Sequence, residues 1–112
     1  MAITIKDICE RAHNTAVCKG WYDGEHNVPE KLALVHSEVS EALEEFRAGH
    51  AMTHIYYRAS DGKPEGVPVE LADIIIRVCD LAKKHEIDLD AAIEMKMQFN
   101  SDRPYRHGNK VA

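Results

Sequence analysis

Four stretches of this chain repeat their apolar residues every three to four positions, and apolar and polar residues almost nowhere alternate. Helical periodicity without strand alternation points to an all-α fold. Thr4, with Asp7 three residues on, opens the first stretch as a capping-box variant. Ile5, Ile8, Cys9, Ala12 and Ala16 make its apolar stripe, and Gly20 ends it. The second begins near Pro29, a favoured first-turn residue. It carries Leu32, Val35, Val39, Ala42, Leu43 and Phe46 as its core face and stops at Gly49. The third runs from about residue 68 to 85. Its apolar residues, among them Leu71, Ile74, Ile75, Ile76, Val78 and Cys79, cover most of the circumference. It is therefore expected to be the most buried helix, covered in part by another subunit. Asp88 caps a fourth, carrying Leu89, Ala92, Ile93, Met97 and Phe99, which Arg103-Pro104 ends. The long irregular stretch from about 49 to 66 holds one short extended piece at 54–57. A loop of that length in a small domain is usually functional or mobile. The expectation is one domain over residues 1–112, a four-helix bundle completed as a homodimer or homotetramer.

Charge narrows the partners. Nineteen acidic residues against fourteen Lys and Arg give a net charge of −5. Duplex nucleic acid is disfavoured, because neutralising its phosphates takes clustered cations. A small phosphorylated ligand is not, because a bound metal inverts the local sign. Cys9, Cys18 and Cys79 are odd in number and show no CxxC spacing, so neither a disulfide framework nor a zinc site is expected. Reduced thiols, no signal-peptide pattern and no stretch of membrane-spanning length give the expectation of a cytoplasmic protein without membrane contact.

The acidic residues are not scattered. Glu38 and Glu41 stand three apart in the second helix, with Glu45 continuing their face, and Glu70 and Asp73 stand three apart in the third. Each pair flanks its helix's apolar stripe, so packing the two stripes together turns both pairs into one cleft. Confined like charges repel until a cation neutralises them, and clustered carboxylate oxygens are what Mg²⁺ prefers. The competing reading is a pair of solvated helix edges. On the fourth helix Lys96, Asn100 and Arg103 share one face, and Tyr105, Arg106 and His107 follow. These are donors suited to phosphate oxygens, although a cationic helix C-terminus is an ordinary feature on its own. Trp21, the one tryptophan, is a candidate stacking platform for a base, or simply core. No GxxxxGK loop is present to cradle phosphate.

These residues carry a resemblance. Glu38-Val39-Ser40-Glu41 and Glu70-Leu71-Ala72-Asp73 are separated by 28 residues. Around them stand His13, Lys19-Gly20-Trp21, Leu34-Val35-His36-Ser37, Pro68-Val69, and Asn100 followed by residues 103–108, Arg-Pro-Tyr-Arg-His-Gly. Over nearly its whole length the chain resembles the MazG-like nucleoside triphosphate pyrophosphohydrolases, of the all-α NTP pyrophosphatase superfamily. The resemblance implies a MazG-like bundle that cleaves nucleoside triphosphates between the α- and β-phosphates, giving monophosphate and pyrophosphate, with nucleotide-pool housecleaning as the role it suggests. It implies Mg²⁺, with Mn²⁺ an alternative, on Glu38, Glu41, Glu70 and Asp73. Glu41 or Glu45 would orient or deprotonate the attacking water, and Lys96, Asn100 and Arg103 would hold phosphates. Ser37 departs from the acidic residue often found before the first glutamate, which leaves metal number and the identity of the base open.

Two other readings remain. A di-iron bundle needs a Glu-x-x-His from each of two helices, and only Glu10 and His13 have that spacing. A non-catalytic helical nucleotide-binding or protein-interaction module would show the same helices and no metal-dependent turnover. Base and sugar preference stay undefined, with Trp21, Asn14 and the 49–66 stretch as candidates to shape that pocket.

Overall fold

The computed structural model describes residues 2–24 and 27–111, the side chain of His107 excepted. Helix α1 (Ile5–Cys18) starts as its sequence dictates. The Thr4 hydroxyl accepts from the Asp7 amide, and the Asp7 carboxylate accepts from the Thr4 amide, each at 3.1 Å. Helix α2 (Val28–Arg47) is capped by Asn27, whose side chain accepts from the Glu30 amide at 2.8 Å. Helix α4 (Leu89–Asp102) is capped by Asp88 through the Ala91 amide. One further turn, α5 (Arg106–Asn109), follows it.

Between α2 and helix α3 (Val67–Lys84), strand β1 (Tyr56–Tyr57) pairs antiparallel with β2 (Pro64–Glu65). The turn joining them is closed by the Arg58 guanidinium, which donates twice to the Asp61 carboxylate at 2.9 and 2.6 Å. That pairing holds the Asp61 carboxyl below its ordinary range. The hairpin hands over to α3 at Gly66, which has φ +126°. A Cβ there would run into the backbone carbonyl of His54. Gly66 also accepts the first helical hydrogen bond of α3, from the Glu70 amide at 3.0 Å. Gly66→Ala is thus expected to cost on the order of 1–3 kcal/mol or more. The check is a chemical denaturation curve; an unchanged midpoint would show that the hairpin-to-helix junction is not fixed here.

Helix α3 is the hub. Its principal partners are α1 on one side and α2 on the other, while α4 leans on α1. The centre between α1 and α3 is Cys9, Cys79 and Ala82, with Ile5, Ile8, Ala12 and Leu89 packed around them. All-α architecture is as the periodicity predicts, and α3 contributes the most buried residues. The predicted α2 core face is corrected. Val35 and Ala42 are partly covered, but Leu32, Val39, Leu43 and Phe46 are exposed, Phe46 at 59%. These four lie within about 60° of one another on the helical wheel, beside and not within the side turned to α3. On α4 every residue from Ile93 to Asp102 is exposed, including Met95, Met97 and Phe99.

The surface is consequently large. It measures 8729 Å², whereas a compact 12.6 kDa monomer exposes about 6,200 Å². The radius of gyration is 16.8 Å against about 13 Å for a compact chain of this length. Among the described residues no helix is long and apolar enough to cross a membrane.

Candidate metal centre

Packing α2 on α3 brings the two acid pairs together. Glu38, Glu41 and Glu70 each present an oxygen, all within 4.8 Å of one another. Glu38 and Glu70 are buried, at 6% and 7% exposure, while Glu41 is open to solvent. Glu38 Oε1 accepts from Arg77 Nε at 2.7 Å, an ion pair between α2 and α3. The other oxygen of Glu38, and Oε2 of Glu70, are buried with no hydrogen-bond partner among the described residues. Orphaned buried carboxylate oxygens are costly unless something positive meets them.

The electrostatics say the same. Burial, and then the facing Glu41 carboxylate with Asp73 and Glu38 behind it, pushes the Glu70 carboxyl up to about 7. Asp73 is half-buried and also raised, first by burial and then by Glu38, with Arg77 and Lys63 opposing. Asp73 stands beside the three glutamates but does not join their tight set. An oxygen-only donor set with confined negative charge fits a hard divalent cation such as Mg²⁺. Glu38, Glu41 and Glu70 would hold it, with Asp73 at the margin.

Glu41 and Glu70 open on a cleft of about 350 Å³ lined also by Ser40, Glu44, Glu45, Lys63 and Glu65. Glu45 is engaged already. The Tyr56 hydroxyl reaches both its oxygens at 2.9 Å, and His50 Nε2 lies 3.5 Å from one of them. This raises the Tyr56 phenol to about 12. The rings of His50, His54 and Tyr56 stack, with His50 and Tyr56 centroids 4.7 Å apart. Glu45 therefore anchors the hairpin against α2, and the hairpin brings Lys63 to the cleft.

The predicted phosphate donors are not brought there within one chain. Lys96 and Arg103 sit over the Phe99 ring at 4.9 and 5.4 Å, on a helix whose packing partner is α1. Tyr105 is exposed beneath the Arg106 guanidinium, and Asn100 is exposed. Trp21 is 62% exposed, so it is not core. Lys63 and the Arg77–Glu38 pair are what sequence reasoning missed. Arg77 continues the Glu70–Asp73 face and was visible as such, whereas Lys63 lies in an irregular stretch with no periodicity to place it.

His13 Nδ1 lies 2.9 Å from Asp80 Oδ1, joining α1 to α3. The Tyr22 ring meets the imidazole edge-on at 4.9 Å. Burial and the Asp80 carboxylate raise the Tyr22 phenol. Comparison with protein-family models, with curated proteins and with solved structures finds no match for this chain.

Proposed function

We propose that this chain is a MazG-like pyrophosphohydrolase that cleaves nucleoside triphosphates to monophosphate and pyrophosphate, with Mg²⁺ at the acidic cleft. The observation carrying this is the convergence of Glu38, Glu41 and Glu70 from two helices, two of them buried with an oxygen left unpartnered. A bound Mg²⁺ supplies charge neutralisation and orientation for the polyphosphate. Glu41, exposed and facing the cleft, is better placed than Glu45 to orient water, because Glu45 is held by Tyr56. Lys63, in the lining of the cleft, offers a cation for a phosphate.

The proposal includes a homodimer or homotetramer. The surface beyond that of a compact monomer is roughly 2,500 Å², within the range obligate interfaces bury. A second copy covering the exposed stripe of α2 accounts for it. Lys96, Asn100 and Arg103 reach an acidic cleft only if assembly brings another copy's α4 to it.

The alternative is a non-catalytic interaction module. It is favoured by the same apolar surface and by Arg77, which already neutralises Glu38. The two are separated by incubating the protein with a panel of NTPs and dNTPs plus Mg²⁺ and resolving products by chromatography. Monophosphate with pyrophosphate is the expected result. Diphosphate with orthophosphate overturns the reading, and no turnover leaves the interaction module.

A further inference from the structure

At the other end of the α2–α3 pairing lies a second cleft, of about 120 Å³, lined by Tyr22, Asn27, Lys31, Leu81, Lys84 and His85 among others. Lys31 comes from α2 and Lys84 from the last turn of α3. Their ammonium groups stand 4.5 and 5.5 Å from the centroid of one ring, that of Tyr22. Neither has a carboxylate partner among the described residues, and Lys31 is half-buried. Asp80, which raises the Tyr22 phenol, is already engaged by His13.

The sequence fixes where this cleft lies relative to the acidic one. Lys31 precedes Glu38 by seven residues, two helical turns or about 10 Å along α2. Lys84 follows Arg77 by the same interval on α3. The Glu38–Arg77 ion pair therefore stands between an acidic end and a cationic end. The cationic end is well below the roughly 300 Å³ at which drug-sized ligand sites begin. Its donors are two ammonium groups, an imidazole and the Asn27 amide, and its size suits one tetrahedral oxyanion.

We propose that Lys31 and Lys84 form a binding site for a single phosphate group, separate from the acidic cleft and independent of metal. Such a group, as inorganic phosphate or as the monoester end of a small molecule, places its two charges between the two ammonium groups, the arrangement charge-assisted hydrogen bonds favour.

The test titrates inorganic phosphate into metal-free protein at constant ionic strength, followed by ¹H–¹⁵N NMR. Saturable shifts at Lys31, Leu81 and Lys84 are expected. Lys31→Gln and Lys84→Gln should each weaken binding about tenfold, the effect of losing one charge-assisted contact. Circular dichroism checks that each variant is folded. Lys84→Arg keeps the charge and should keep the affinity, so loss from mere disturbance of the fold is distinguishable. Glu70→Gln, at the acidic end, should leave phosphate affinity unchanged. The site is refuted by linear, non-saturating shifts, by Gln variants that bind like the parent, or by affinity that follows Glu70→Gln.

Discussion

Glu70→Gln is expected to remove magnesium-dependent turnover while leaving the metal-free fold at least as stable as the parent. The side chain is buried beside Glu38 and Glu41, its Oε2 is unpartnered, and its carboxyl is pushed up to about 7. Glutamine has the same shape and no charge, so it relieves the repulsion and deletes a ligand. A loss of at least about a hundredfold in kcat/KM, near 2.7 kcal/mol, is expected. High Mg²⁺ should recover part of it, since weakened metal affinity is a mass-action defect. Thermal melts give an independent reading. At a magnesium concentration a hundred times its Kd, the parent should gain about 2.7 kcal/mol, on the order of 10 °C for a domain this small. The variant should gain little. Wild-type turnover and an undiminished magnesium shift in Glu70→Gln would end the metal-site argument.

The same group sets a pH dependence. A carboxyl raised from 4.5 to about 7 on folding binds its proton more tightly in the folded chain. Its contribution is therefore fully present below about pH 4.5 and is lost as pH rises through 7. Metal-free parent protein should lose stability across that window. Saturating Mg²⁺ should flatten the slope, because the cation takes the place of the proton, and Glu70→Gln should lack it.

The second large effect is on assembly. Leu43→Glu with Phe46→Glu is expected to turn a dimer or tetramer into monomer and to lower thermal stability with it. Both side chains are more than half exposed in the single chain, on the stripe that also holds Leu32 and Val39. Burying a large apolar side chain contributes about 1.5–3 kcal/mol. Two such chains on each of two protomers give at least roughly 6 kcal/mol, on the order of 10⁴-fold in the dissociation constant. Sedimentation velocity at micromolar concentration reads it directly. A monomeric parent, or a double variant that assembles as before, would show that the stripe is simply a wet apolar surface.

What could be read from the sequence depended on the range of the information. Thr4 with Asp7, Pro29 and Asp88 are local devices, and the helices they begin start within a residue or two of expectation. The meeting of Glu38 and Glu41 with Glu70 was legible because three-residue spacing fixes each pair's face, and both faces border an apolar stripe. Periodicity says which side of a helix is apolar but not what covers it. Periodicity alone predicts that the stripe of α2 meets α3, which instead packs beside it and takes the side carrying Val35, Glu38 and Ala42. The donors of α4 share a face by the same periodicity, which does not say what that face meets, and α4 leans on α1. The resemblance groups Asp73 with the three glutamates, whereas the tight set among the described residues holds Glu38, Glu41 and Glu70. Lys63 and the Tyr56–Glu45 contact come from the hairpin, where pairing is long-range and no period announces it.

The order of packing has a consequence for the chain as it is made. Helix α1 docks on α3 and not chiefly on the helix that follows it, so Cys9 waits for Cys79 and His13 for Asp80. Some 60–70 residues must be synthesised between those partners, which at ribosomal speed takes about 3–14 s. Through that interval the apolar stripe of α1 has no native surface to meet. An all-helical protein usually closes its contacts locally and quickly; here the hub arrives third, and the first helix depends on it.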